Sequence, residues 1–259
     1  MNAIRRFLNL NERLSRDFNM RADRWSGRRS GMVEFDRRLL PELLQPGLRV
    51  LDVGGGKQPL IDSSAKQRHA LHVTGLDLSA DELAAAPDGA YDATIVGDVS
   101  TAVLAGPYDL IVSRTVLEHV PDTAATIRNL AGALAPGGVM AHFLPCGNAP
   151  FALLNRLLGP SLGSRLLWSI FPQNRQVAGF PAYYDGCVPS RFRRLCEAEG
   201  LEIVELNAYF YSDYGRFLLP FHVVDTARQL ALLKAGATDL AETFTIVARK
   251  PAVAQRAAA

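Results

Sequence analysis

The chain has 259 residues, 48% of them hydrophobic, and a formal charge of +2 at neutral pH. That is enough chain for one sizeable core with appended pieces, and the near-balanced charge excludes a strongly basic polyanion-binding protein. Three cysteines, Cys146, Cys187 and Cys196, are too few and too irregular for a disulfide framework or a zinc site, so a reduced cytoplasm is the expected compartment.

No apolar run approaches the roughly 20 residues of a spanning helix, and the first residues carry no continuous apolar segment of the signal-peptide kind. The lead-in, 1–45, is basic: Arg5, Arg6, Arg13, Arg16, Arg21, Arg24, Arg28 and Arg29 stand against Glu12, Asp17 and Asp23. Ile4, Phe7, Leu8, Leu14 and Phe18 among these arginines make a basic amphipathic helix. Its commonest use is a solvated face. Peripheral contact with the inner face of a membrane is the sharper alternative.

From 46 to 145 short apolar runs alternate with helical patterns. "LRVLDV", "LHVTGLDL", "ATIVGDV", "YDLIVSR" and "GVMAHFLP" are continuous rather than alternating, as in strands of a parallel sheet covered on both faces. "DTAATIRNLAGALAPGG" places Ala125, Ile127, Leu130 and Leu134 at helical spacing and is expected to stop at "PGG". Residues 146–189 form an insertion in which Phe151, Leu154, Leu157 and Leu158, then Leu166, Leu167 and Ile170, predict helices. In 190–250 a helix capped by Ser190 and closed by Gly200 leads into a strand. A second excursion containing helix follows, then a last strand, "ETFTIVARK". Residues 251–259 read as a frayed tail. The expected fold is α/β: a doubly wound, mostly parallel seven-stranded sheet in one domain, with helical cap insertions.

"RVLDVGGGKQPLI" ends the first strand in an acid and three glycines. A dinucleotide-dependent oxidoreductase needs Gly-x-Gly-x-x-Gly, and the third glycine falls on Pro59. A phosphate loop needs Ser or Thr after Lys57, and Gln58 stands there. Acid-x-Gly-x-Gly fits instead: Asp52, Gly54 and Gly56. Asp77 ends the second strand, where a carboxylate can accept both hydroxyls of a ribose. Asp98 follows the third, where it can take an adenine's exocyclic amine. Each acid also suits a helix N-cap or turn, but three acids at successive strand ends make an adenosine crevice the better reading.

These motifs resemble those of class I S-adenosylmethionine-dependent methyltransferases of the small-molecule type. The likeness runs from Leu48 to about Pro145: "LDVGGG" for the first motif, "LDLS" for the ribose acid, "GDV" for the adenine acid, then "YDLIVSRTVLEHVPD" and "LAPGG". The family's further glycine is replaced by Gln58. The resemblance implies that Gly54 and Gly56 floor the methionine part and that Asp52 orients the loop near its ammonium. Asp77 would bind the ribose with Leu78 against the adenine. Asp98 and Val99 would hold the adenine edge, and Ser113 and Arg114 would close over the cofactor by backbone.

It further implies methyl transfer from S-adenosyl-L-methionine. The expected acceptor is a small or lipid-like organic molecule methylated at oxygen, the lipid-like option resting on the basic lead-in and the apolar excursions. A non-catalytic relative that only binds the cofactor is the competing class. His119 is the candidate general base, its bland alternative being a capping or packing residue. No metal is expected: some relatives use an acid-x-x-acid-His array, and Thr115 stands where its first acid would be. Tyr183, Tyr184 and Asp185 are the candidate acceptor-binding residues. Nucleic acid is not expected as a partner, and the sequence is silent on oligomeric state.

Overall fold

The computed structural model describes residues 3–157 and 181–252. Seven strands form a single sheet: β1 Arg49–Val53, β2 His72–Asp77, β3 Ala93–Val96, β4 Tyr108–Arg114, β5 Leu134–Pro145, β6 Glu202–Tyr209 and β7 Thr243–Arg249. Their order is β3-β2-β1-β4-β5-β7-β6. All pairings are parallel except those of β7, which runs antiparallel to both β5 and β6. The mostly parallel seven-stranded sheet read from the sequence is therefore present, and its winding reverses between β1 and β4.

The strands are apolar without alternation because both faces are covered. On β4, Ile111 joins one core layer while Leu110 and Val112 join the other; on β5, Met140 and Leu144 oppose Ala141 and Phe143. The first layer is closed by α5 (Thr123–Ala133) through Ile127 and Leu130, and by α6 (Pro189–Ala198) through Phe192 and Cys196. The second is closed by α2 (31–43, with a wider π turn at Phe35–Leu39) through Phe35, Leu39 and Leu40. Short helices α3 (Ser63–Arg68) and α4 (Ala80–Ala84) complete the first two crossovers. The helical lead-in is α1 (Ala3–Ser26), and the second excursion holds α7 (Leu219–Ala235), against which α1 packs.

Two local expectations are corrected. Helix α5 stops at Ala133, so Leu134 and "APGG" open β5 instead, where Gly137 takes φ +81° and the register with β4 slips. Ser190 does not cap α6, which starts at Pro189; Ser190 N–H and Oγ–H donate to the two carboxylate oxygens of Asp239 at 2.9 and 2.6 Å. The cap comes from an aspartate 49 residues on, which local sequence cannot reveal. Helix α1 turns its polar residues Asn11, Ser15 and Asn19 inward and leaves much of its apolar side exposed. Of the cap insertion, residues 150–157 are helical; the expected helix around Leu158, Leu166, Leu167 and Ile170 lies outside the described residues.

Candidate active site

Ligands of open α/β sheets bind outside the carboxyl ends of the strands, where the strand order reverses. Parallel register puts four strand ends side by side: Val53 pairs with Leu76 and Ser113, and Asp77 pairs with Val96. The loop after β1 bends at Gly54 (φ +70°), whose N–H donates to Leu76 C=O at 2.7 Å, and at Gly56 (φ +48°). Both are left-handed conformations that glycine adopts without steric cost. A Cβ on Gly54 would lie 2.4 Å from Val116 Cγ2, and one on Gly56 would lie 3.0 Å from Asp77 Oδ2. The backbone thus passes between the β4 loop and the ribose acid with no room for side chains.

Asp52 lies fully buried beneath this loop. Its Oδ2 accepts Leu60 N–H at 2.8 Å, which ties the loop's far end back to β1, while Oδ1 has no partner. Burial raises its pKa to about 7, with Asp77 adding to the rise and Leu60 N–H and Arg114 opposing it. A buried carboxylate oxygen without a partner suits a cationic ligand group. Asp77 uses Oδ1 to accept Ser79 N–H at 2.9 Å, leaving Oδ2 on the Gly56 side. Next to it Leu78 is 58% exposed, an apolar surface suited to a flat ring. Asp98 Oδ1 accepts Ser100 N–H at 2.7 Å and its hydroxyl at 2.6 Å. Val99 puts its side chain in the core and its carbonyl on Asn129 Nδ2, so it can offer a ligand only its backbone N–H.

Ser113 and Arg114 are engaged through their side chains elsewhere. Ser113 is buried with Oγ 2.7 Å from His142 Nδ1, and Arg114 pairs with Asp36 at 2.6 Å. Their side chains are thus held away from the strand end, leaving the backbone role an expectation. Immediately after them Thr115 takes φ +54°, an uncommon conformation for a non-glycine residue.

The turn Leu117–His119 follows. His119 Nδ1 lies 3.1 Å from Pro181 C=O. A carbonyl can only accept, so Nδ1 carries a proton; in the neutral ring Nε2 is then the basic nitrogen. Glu118 is buried, its Oε1 3.8 Å from His119 Nε2 and its Oε2 without a partner. Burial raises its pKa to about 8. Its backbone carbonyl accepts the N–H groups of Tyr183 (2.8 Å) and Tyr184 (3.0 Å), which fold the returning insertion over this turn. Tyr184 is buried with φ +53°, and burial raises its hydroxyl to about 12; Tyr183 is half exposed. Asp185 has another task. Its carboxylate accepts Thr123 N–H at 3.0 Å and pairs with Arg191 at 3.1 Å, holding the start of α5.

Sequence reading did not name Tyr91, weighed Glu118 only as part of a metal array, and placed Phe151 only in a helical insertion. The Tyr91 hydroxyl donates to Gly56 C=O at 3.1 Å, and its ring covers Gly75, where a Cβ would sit 2.8 Å away. A glycine in mid-strand was the available signal, since it marks a close approach. What sequence could not show for Glu118 is its burial, which depends on Tyr183 and Tyr184 returning over it. Phe151 stacks on Tyr214 at 4.2 Å between centroids, bringing the cap insertion to the β6–α7 segment. Among the described residues, no three of His, Cys, Asp and Glu converge as a metal site.

A glycine-floored crevice at the β1/β4 switch, with acids at the ends of β2 and β3, defines an adenosine-binding α/β enzyme. Comparisons agree. A methyltransferase-domain model matches residues 24–206. The ubiquinone biosynthesis O-methyltransferase of Aromatoleum aromaticum is 31% identical over 177 residues, covering 64% of this chain and 69% of that one. A Mesorhizobium loti S-adenosylmethionine-dependent methyltransferase superposes with TM-score 0.54 at 20% identity, over 85% of this chain and 98% of that one. Phosphoethanolamine N-methyltransferase 2 of Haemonchus contortus, solved with S-adenosylmethionine, gives TM-score 0.54 at 18% identity. There the match covers 84% of this chain but only 52% of the other. The chain belongs to the methyltransferase-domain family and is an S-adenosylmethionine-dependent enzyme.

Proposed function

We propose that this chain methylates an oxygen of a small or lipid-like organic acceptor, with His119 as the base. What supports the reading is that Gly56 stands against Asp77 and Gly54 against Val116 of the β4 loop, while Gly97 N–H on Asp77 C=O brings the Asp98 loop beside them. S-adenosylmethionine supplies a methyl group already activated on a sulfonium. What this chain's residues do is hold and orient. Asp77 accepts from the ribose hydroxyls, Asp98 and the Val99 N–H take the adenine edge, and Leu78 lies on its face. The unpartnered Asp52 Oδ1 beneath the glycine loop suits the ammonium of the methionine part.

On the acceptor side, Nε2 of a neutral His119 would take a hydroxyl proton. Such a base typically contributes a factor of about 10²–10⁴. Alignment of acceptor and methyl donor can contribute roughly 7–11 kcal/mol. Tyr183 and Tyr184 border this side, and we assign them acceptor contacts. Transfer to oxygen is supported by the naming of the Aromatoleum aromaticum relative as an O-methyltransferase and by the tautomer that Pro181 imposes on His119. A lipid-like acceptor brings with it peripheral contact with a membrane surface; no helix among the described residues is long and apolar enough to cross one. The free thiols Cys146, Cys187 and Cys196, all buried, suit a reducing compartment.

The test is incubation of the full chain with methyl-labelled cofactor and a panel of phenolic, amine and thiol acceptors, some bearing lipid tails. Label in a phenolic ether supports the reading; label only in amine or thiol products overturns it.

A further inference from the structure

Helix α1 is packed inside out. Asn11, Ser15 and Asn19, one turn apart, are its buried residues, and they face His222, Thr226 and Gln229 of α7, also buried and polar or titratable. Asn19 Oδ1 accepts from His222 Nε2 at 2.9 Å and from Arg28 at 2.8 Å, and Arg28 also donates to Gln229. Asn11 Oδ1 accepts Leu219 N–H at 3.0 Å, capping α7, whose own N-cap residue Leu218 offers no side-chain acceptor. A surface helix of a globular protein ordinarily does the reverse, burying its apolar stripe. This polar seam fixes which way α1 is turned.

The consequence is an apolar ridge in solvent. Phe7 (55% exposed), Leu10 (53%), Leu14 (43%) and Trp25 (83%) follow one another at steps of three, four and eleven residues along one side. Beside them run Arg6, Arg13, Arg21 and Arg24, all exposed and none ion-paired among the described residues; Asp17 is the single acid in that stripe.

We infer that this face of α1 is a docking surface for an anionic membrane, the apolar ridge seated at the headgroup–acyl boundary and the arginines on lipid phosphates. Charge complementarity favours that occupant over a second copy of the chain. A self-complementary contact would set one arginine stripe against another. The inference deepens the proposed function and rests on it for purpose, because a lipid-like acceptor resides where α1 would dock. The seam also links this surface to the acceptor side. Asn19 Nδ2 donates to Asp213 at 3.4 Å, next to Tyr214, which stacks on Phe151.

The experiment is co-sedimentation of the full chain with phosphatidylcholine vesicles, with and without phosphatidylglycerol, alongside its oligomeric state. Expected are salt-sensitive binding to the anionic vesicles alone and, on a Trp168→Phe background, a blue shift of Trp25 emission. Arg13→Glu with Arg24→Glu should lower partitioning at least about tenfold, and Leu10→Ser with Leu14→Ser should do the same. Both variants change exposed residues, so circular dichroism should match the parent. The inference is overturned by absence of vesicle binding, by equal binding to neutral vesicles, by variants that bind like the parent, or by a dimer that Leu10→Ser dissolves. Methylation of a soluble phenol, assayed in parallel, reports on the proposed function separately: its absence with vesicle binding intact would sink that reading and leave the docking surface standing.

Discussion

Gly56 and Asp77 meet across the crevice: a Cβ on residue 56 would stand 3.0 Å from Asp77 Oδ2 and 3.2 Å from the Glu82 Cβ. The floor of the site and its ribose acid are therefore one packed unit, and the loop has no side chain there because none fits. Gly54 is tighter still, since its Cβ would fall between both Val116 methyls, at 2.4 and 2.7 Å.

Gly54→Ala is accordingly expected to destabilise the chain by about 1–3 kcal/mol, the cost of a left-handed non-glycine residue, and to abolish most cofactor affinity. Valine's stiffness at χ1 limits relief. Thermal unfolding with and without S-adenosylhomocysteine checks both effects. An alanine variant that melts and binds like the parent would show that the loop relaxes freely.

His119→Ala should lower kcat by about 10²–10⁴ while leaving cofactor affinity unchanged. Steady-state kinetics of the variant against calorimetric affinity separate the roles. Full turnover would reduce His119 to the residue that holds Pro181.

Glu118 carries a pH signature. Burial lifts its pKa from 4.5 to about 8, and that of Asp52 from 3.8 to about 7. The native state therefore keeps protons that the unfolded chain releases, and stability falls as pH rises through that window. His142 works oppositely: burial lowers its pKa from 6.5 to about 3, so its contribution is present above 6.5 and lost as pH falls. Glu118→Gln leaves the other two groups in place. Relative to the parent, it should gain stability steadily between about pH 5 and pH 8 and then run parallel. Urea unfolding at several pH values gives the difference; curves parallel throughout would place the Glu118 carboxyl in water.

Much of this was legible in sequence for physical reasons. β1, β2 and β4 are apolar on both faces because helices cover both, and a doubly covered strand shows no alternation. The left-handed glycines at 54 and 56 and the acids at 77 and 98 lie where local chain direction alone dictates them. What was not legible depends on partners far along the chain. The lead-in reads as a basic amphipathic helix, but which of its residues are buried is set by Leu219 and His222, more than 200 residues from Asn11 and Asn19. Asp185 reads as an acceptor ligand until Thr123 and Arg191 are seen to occupy it.

The claim on which the rest depends is that the carboxylate at the end of β2 grips a ribose. Titration calorimetry of the parent and of Asp77→Ala with S-adenosylhomocysteine tests it most directly. The account predicts one site per chain, weakened by about 1–3 kcal/mol in the variant through loss of charge-assisted hydrogen bonds. No binding by the parent, or equal affinity in the variant, would contradict it.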